Sequence, residues 1–413
     1  MDINKAVADL MSRNSRVVNG YRYTLPSSEL YPFQWLWDSC FHAIILSKYD
    51  VESAKEELRS VTKKPLSCGM LPHINYWRQP KDTVVTNWGR EKRGDVIDAT
   101  WGTDGTSSIT QPPLMAKALW RVYHAVDKDV DFLKEIYPVL FDHHTYLINE
   151  RDLNGDGLLF IINPDESGED NSPRFDISLG LEAVHTSDDH LDRRISLVHK
   201  NLLCKFDSKT YARRYFAVID VAFNIIYLES LQIMALIAQE LGRDDETRIF
   251  KNLADRVRLS LRSMLSMDGS VRLYSYDLLR EKFLKVNTWN LFMPLYGGLL
   301  DSNEASILVD CLKDERYFWT NFPIPTVARN SACYDPDDGF WRGPVWMAPN
   351  WFIYKGLMRY GYIDLATELA EKTRKLITLS GFREYYHPTT GEGLGAKDFT
   401  WGGLVTDMTD HEL

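Results

Sequence analysis

Tyr215-Phe-Ala-Val-Ile-Asp-Val-Ala-Phe-Asn-Ile-Ile-Tyr-Leu-Glu-Ser-Leu-Gln-Ile-Met-Ala-Leu-Ile-Ala-Gln-Glu-Leu241 carries the clearest periodicity in the chain. Phe216, Ile219, Phe223, Ile226 and Met234 recur at threes and fours, the spacing of one helix face, and Gly242 follows as a stop. Asp244 to Met264 continues as a helical partner. The same pattern extends outward in both directions. Upstream it predicts helices over 3–13, within 34–49, and over 51–61, 114–126 and 130–149. Downstream it predicts 291–299, 302–313, 345–360, 363–379 and 400–408. Strand signals are confined to short hairpins, one of them around Asp268-Gly269 and Val271–Tyr274. No Gly-, Ser- or Pro-rich run divides the chain. The expectation is an all-α protein in which residues 1–413 form one domain of successive helix pairs, a closed toroid in which distant segments converge. Two stretches, about 78–95 and 177–213, lack a sustained period and read as mobile active-site loops, the second as an inserted loop or lid with room for short helices.

The 413 residues are 44% hydrophobic and 26% charged, an ordinary globular balance, with a formal charge of −10. That charge repels polyanions, so a nucleic acid or an anionic membrane is disfavoured and a small molecule is the expected partner. The start, Met1-Asp2-Ile3-Asn4-Lys5, has no basic, apolar leader, and no apolar run reads as long enough to span a bilayer, so the expectation is cytoplasmic. Nothing in the pattern sets an oligomeric state. Five cysteines without a CxxC pair read as small buried apolar residues. Asp152-Leu-Asn-Gly-Asp-Gly157 opens like a calcium loop, but Pro164 stands where the closing glutamate belongs, so it reads as a turn. The ten histidines form no HxxxH pair, and there is no GxSxG, Walker A or dinucleotide motif. The expected cofactor and metal content is therefore none.

Three acid-bearing segments remain. Glu166-Ser-Gly-Glu-Asp-Asn-Ser-Pro-Arg-Phe-Asp176 concentrates carboxylates on a bent turn behind Pro164. Asp170 in a partly dry, aromatic pocket would hold its proton at neutral pH and serve as an acid. The competing reading is a turn carboxylate capping a helix. Glu384 lies between Arg383 and Tyr385-Tyr386, where an ionised carboxylate could deprotonate water; Glu392 competes with it from a looser, glycine-flanked setting. Asp38 follows Trp35 and Trp37, which unites flat rings for the apolar face of a sugar with an acceptor for its hydroxyls. His73, Gln111 and Trp401 are candidate sugar contacts. Arg342, Gly343 and Trp346 open a helix that either faces the pocket or packs.

Taken together, YPFQWLWDSCF (31–41), GMLPHINYW (69–77), SSITQPPLMAKALW (107–120), ESGEDNSPRFD (166–176), FAVIDVAFNIIYL (216–228), FWRGPVWMAPNWFIYKGL (340–357) and FREYYHPTTGEGLGAKDFTW (382–401) resemble family 63 glycoside hydrolases. Within that family they are most similar to its short mannosylglycerate and glucosylglycerate hydrolases. The resemblance implies an (α/α)6 toroid, a six-hairpin barrel, and an inverting α-glycosidase acting on a small mannoside or glucoside. Asp170 would be the general acid and Glu384 the general base, with the carboxyls about 6.5–9.5 Å apart to admit a water. Tyr31, Trp37, Asp38, His73, Gln111 and Trp401 match positions lining the sugar subsite. The lid, 177–213, does not align, and Arg213 and Arg214 are the candidates for a glycerate carboxylate there. Asp220-Val221 replaces the family's Asp-Pro, a change of packing rather than chemistry.

Other functions remain open at this level. A trehalase-like or other glucosidase for neutral disaccharides would share the ESG-x-D pattern. A sugar epimerase or isomerase also uses helical toroids but needs a histidine pair. A sugar-binding protein without catalysis would have lost Asp170 or Glu384, and both are present.

Overall fold

The computed structural model describes residues 2–77, 105–125, 128–182, 185–267, 271–337 and 339–408. The expected loop at 78–95 and the Asp268-Gly269 turn lie outside them. The chain is mostly helical. Its long helices are α1 (Ile3–Asn14), α2 (Leu36–Leu46), α3 (Val51–Val61), α4 (Met115–Ala125), α5 (Val130–Arg151), α6 (Ser187–Leu203), α7 (Val221–Glu240), α8 (Asp244–Met267), α9 (Ser302–Lys313), α10 (Met347–Arg359) and α11 (Ile363–Ser380).

Two kinds of helix follow from two kinds of sequence. Every residue of α2 is buried, as is every residue of α10 but Arg359 and nearly all of α7. A helix that is apolar all round can only be an inner one. In α9 the buried residues are Ala305, Leu308, Val309 and Leu312, and in α11 they are Ala366, Leu369, Ala370, Thr373, Leu376 and Ile377. That one-sided stripe marks helices with a solvent face. The inner elements contact one another in turn. α2 packs on α4, α4 on α7, α7 on the short helix Met293–Tyr296, that helix on α10, α10 on the 3₁₀ segment Thr400–Asp407, and that segment back on α2. α3, α5, α8, α11 and α1 back α2, α4, α7, α10 and the 3₁₀ segment respectively. One continuous apolar core runs from Val7 to Met408.

Helix α7 begins at Val221 rather than Tyr215. Asp220 caps it by accepting the Phe223 N–H at 3.1 Å, and Val218–Ile219 is instead the second strand of a small antiparallel sheet with Phe160–Ile161, Tyr276–Asp277 and Lys282–Phe283. By length and composition alone α7 could cross a membrane, contrary to the reading of the sequence. In the fold 89% of its most apolar window is buried in protein, which makes it a core helix. Of the cysteines only Cys40 is buried; Cys68 is exposed and the other three are half-buried, because Cys68 and Cys333 lie in turns, Cys204 caps the end of α6 and Cys311 stands outside the buried stripe of α9. The Asp152 turn closes on itself, its carboxylate accepting the N–H of Gly155 at 2.7 Å and of Gly157 at 2.9 Å.

The lid is the main departure from expectation. Residues 177–213 contain α6 and the short helix Ser208–Ala212. Thr186 and Asp189 form a reciprocal capping box that starts α6. Its inward positions are His190, Arg194, Ile195, Leu197, Val198 and Asn201. Half of that face is polar, so a helix is present without the apolar period that would announce it.

Candidate active site

The N-terminal ends of four of the inner elements converge on a cavity of about 430 Å³. Trp37 and Asp38 enter from the first turn of α2, Gln111 from the segment before α4, Trp346 from the position preceding α10, and Trp401 from the start of the 3₁₀ segment. Tyr31, Trp35, His73, Tyr385, Asp170 and Glu384 complete the expected set in its wall. The rings pack on one another. Trp346 stacks on Trp341 at 4.0 Å and on Tyr385 at 5.0 Å, and Trp401 stands edge-on to Trp37 at 5.0 Å.

Within the acidic turn the carboxylates divide by partner. Glu166 is held by Arg151 through two 2.7 Å contacts and accepts the N–H groups of Thr110 and Ile162. Glu169 is held by Arg174 at 2.7 and 2.9 Å and by the side chains of Trp289 and Asn290. Asp176 pairs with Arg342 at 2.6 Å. Two acids are left facing the cavity, Asp165 and Asp170. Asp170 is 28% exposed and stands 3.1 Å from the Arg194 guanidinium, whose same nitrogen also contacts Asp165. Burial pushes the Asp165 carboxyl up, against the pull of Arg194. Asp170 thus lines an aromatic pocket, as its sequence suggested, but with a cation beside it. Gly168 gives the turn its shape: at φ +75° a Cβ there would lie 2.3 Å from the Trp37 ring.

Glu384 occupies the opposite kind of environment. It lies on the strand Arg383–Tyr386, paired with Gly393–Lys397. It is 3% exposed. Its Oε1 accepts from the Tyr31 hydroxyl and its Oε2 from the Ala396 N–H at 2.8 Å. Burial pushes its pKa to about 7, with those two donors pulling down and the charges of Asp170 and Asp38 pushing up. Burial also raises Asp38 to about 6, opposed by His42 and by the Trp401 indole N–H at 2.7 Å. His73, fully buried near Arg194, is lowered to about 3 and remains a neutral ring, its Nδ1 3.1 Å from the Ser107 hydroxyl.

Five of the sequence candidates stand outside the wall. Arg213 and Arg214 are exposed at the end of Ser208–Ala212. Arg342 braces the turn, bonding Asp176 and the Asn171 carbonyl. Gly343 is needed for close packing, since a Cβ would meet the Asp335 carbonyl oxygen at 2.5 Å. Glu392 is exposed. The sequence reading missed Arg194, Asp165 and Trp341. The Thr186–Asp189 cap was the signal that could have revealed α6 and, with it, Arg194 on its inner face.

A cup of indole rings around carboxyls drawn from distant segments, one beside a guanidinium and one in a dry niche, defines an enzyme that works on carbohydrate, a glycoside hydrolase. The chain belongs to the mannosylglycerate hydrolase MGH1-like glycoside hydrolase family, whose model matches residues 31–402. It is similar to the mannosylglycerate hydrolase of Thermus thermophilus, at 32% identity over 97% of this chain and 98% of that one. It is also similar to the glucosylglycerate hydrolase of Mycolicibacterium hassiacum, at 28% identity over 90% of each. A crystal structure of the Thermus thermophilus family 63 mannosylglycerate hydrolase with Tris and D-glycerate superposes at a TM-score of 0.86, with 30% identity over 98% of this chain and 99% of that one.

Proposed function

We propose that this enzyme hydrolyses the α-glycosidic bond of mannosylglycerate or glucosylglycerate with inversion, on one (α/α)6 toroidal domain. The closed sequence of six neighbouring inner elements, five of them backed by an outer helix, supports the six-hairpin form. The observation that carries the catalytic reading is that Asp170 and Glu384 line one cavity while Glu166, Glu169 and Asp176 are each committed to an arginine. Glu384 takes a proton from water as the oxygen attacks the anomeric carbon. Asp170 gives its proton to the leaving glyceryl oxygen as the C–O bond breaks, and the hexose leaves as the β-anomer. Trp37, Trp346 and Trp401 cover the apolar face of the sugar, and Asp38 accepts from its hydroxyls.

Arg194 supports an acidic aglycone over a neutral one. A guanidinium in the wall offers a planar fork of donors that matches a carboxylate. It replaces Arg213 and Arg214 as the residue for the glycerate. The test is a proton NMR time course with mannosylglycerate, glucosylglycerate and trehalose. Initial release of β-hexose from a glycerate glycoside is expected; initial α-hexose would end the inverting assignment, and cleavage of trehalose alone would end the glycerate one.

A further inference from the structure

Asp165 lines the sugar pocket, and the hydrolysis proposed above gives it no task. It lies in the first turn of the short 3₁₀ helix Pro164–Ser167, one residue before the Glu166 that Arg151 holds. All of its polar atoms but one are engaged. The backbone N–H donates to the Asn163 side chain at 3.1 Å, the carbonyl accepts from the Gly168 N–H at 3.1 Å, and Oδ1 accepts from the Arg194 guanidinium. Oδ2 has no hydrogen-bond partner, although the residue is 3% exposed. Among the described residues it is the only carboxylate oxygen buried in that state. An unpaired buried oxygen is costly, and burial accordingly pushes the Asp165 carboxyl up to about 7.

Arg194 brings this residue to the acid. Its Nη1 contacts Oδ1 of Asp165 and, at 3.1 Å, Oδ2 of Asp170, so the two carboxyls meet at one nitrogen. The neighbouring Asn171 has no capacity of this kind to offer: its side chain donates to the Gly339 carbonyl at 3.2 Å and accepts the Trp341 N–H at 2.9 Å. A glycerate aglycone carries three polar groups on three adjacent carbons, namely the glycosidic oxygen, the carboxylate and a hydroxymethyl. Asp170 serves the first and Arg194 the second. The third is left for a group beside both.

We propose that Asp165 is a specificity residue whose Oδ2 pairs with the hydroxyl on the third carbon of the aglycone, so that the enzyme selects glycosides of glycerate over those of lactate. This rests on the functional reading above and assigns the one polar group of the aglycone that it leaves unserved. A hydroxyl both donates and accepts, so it pairs with the carboxyl in either protonation state. A methyl in its place leaves Oδ2 buried and unpaired beneath the aglycone. A site built to bond a hydroxyl rejects the analogue lacking it far more strongly than an apolar pocket does.

The test compares kcat/KM for glycosides of glycerate and of lactate, with the same hexose and the same configuration, at pH 8, where the Asp165 carboxyl is mostly ionised. The wild type is expected to prefer the glycerate glycoside by about 10–100-fold, the scale of a hydrogen bond to a charged group, and Asp165→Ala to bring the ratio close to one. Loss of the contact with Arg194 affects both substrates together and cancels in the ratio. A merely structural Asp165 would therefore leave the ratio unchanged in the variant, and that result overturns the proposal. A wild type that cleaves both glycosides alike also overturns it and leaves the functional reading standing. A wild type that cleaves neither brings down that reading, and this inference with it. If Asp165→Ala fails to fold by circular dichroism, Asp165→Asn serves, because it keeps the shape. A neutral amide holds the hydroxyl less tightly than a carboxylate, so the ratio should narrow severalfold, and an unchanged ratio overturns the proposal.

Discussion

The turn Pro164–Asp176 and the hairpin Arg383–Lys397 each deliver one carboxyl to the sugar pocket, and they are built by different physics. The turn is fixed by ion pairs, two of them fully buried: Arg151 with Glu166 and Arg174 with Glu169. Asp170 rides on that frame, more exposed than any of the acids that support it. The hairpin has no such frame. Its glutamate is fixed by one backbone N–H, one phenol and the close packing of glycine. In the turn, charge does structural work so that one acid can do chemistry. In the hairpin, desolvation does both.

The largest effects should separate the two roles within the turn. Asp170→Asn is expected to lower kcat by about 10²–10⁴-fold with little change in Tm, as for loss of a general acid. Glu384→Gln should do the same from the hairpin. Glu166→Ala should instead cost about 3–5 kcal/mol of stability, because it strands the buried Arg151. Denaturant unfolding beside steady-state kinetics reads both quantities. If Glu166→Ala keeps its stability, or Asp170→Asn its rate, the division of labour in the turn is wrong.

The next effect probes the hairpin. Gly395 sits at φ +63°, and a Cβ there would lie 2.5 Å from the Glu384 Oε2 and 2.6 Å from the Tyr385 ring. Gly395→Ala is therefore expected to displace the carboxylate and lower kcat on the order of 10²-fold, the scale of an ångström's misplacement. Unchanged kinetics would mean that the hairpin tolerates a shift and that packing does not position the base. The same contrast explains what was legible in the sequence. α7 was readable because its apolar residues recur at threes and fours within a largely apolar run, and α9 and α11 because their buried stripes repeat the same way. α9 begins and ends where its pattern does. The pocket was legible wherever an acid had aromatic neighbours in the chain, as at Trp35-Leu-Trp-Asp38 and Glu384-Tyr-Tyr386. α6 was not, because His190, Arg194 and Asn201 occupy its inward positions, and a buried polar face has no hydrophobic period. Arg213 and Arg214 drew attention as adjacent charges, but they end a short helix on the outside. Arg342 and Gly343 stand in a motif whose task is to hold the acidic turn, and sequence does not distinguish touching a substrate from bracing what touches it.

A smaller effect should follow from Arg194, which joins the turn to the lid. Arg194→Lys keeps the charge beside Asp165 and Asp170 but loses the planar fork. An increase in KM of roughly tenfold or more for the glycerate glycosides is expected, on the scale of a hydrogen bond to a charged group. Arg213→Ala and Arg214→Ala should leave KM unchanged and stability within about 0.5 kcal/mol. The reverse pattern would move the aglycone to the outer end of the lid.

The mildest change should appear only in the pH profile. In the proposed mechanism Glu384 accepts a proton from water and so acts ionised, and burial pushes its pKa to about 7. The acid limb of kcat/KM should therefore bend near neutrality, with activity rising as pH rises through it. Tyr31 opposes the effect of burial, because its hydroxyl donates to the carboxylate and so favours the charged form. The phenol stays protonated as a donor, since burial and the adjacent Glu384 push its own pKa upward. Tyr31→Phe removes that donor while keeping the ring packed on Trp35 and Phe399. The Glu384 pKa should then climb and carry the acid limb with it. At pH 6 kcat/KM should fall about tenfold, and at pH 9, where the carboxyl is ionised in either protein, the loss should be much smaller. A uniform loss at every pH would mean that Tyr31 binds the sugar rather than setting the charge of the base. A limb that moves to lower pH would mean that the acid limb does not report Glu384 at all.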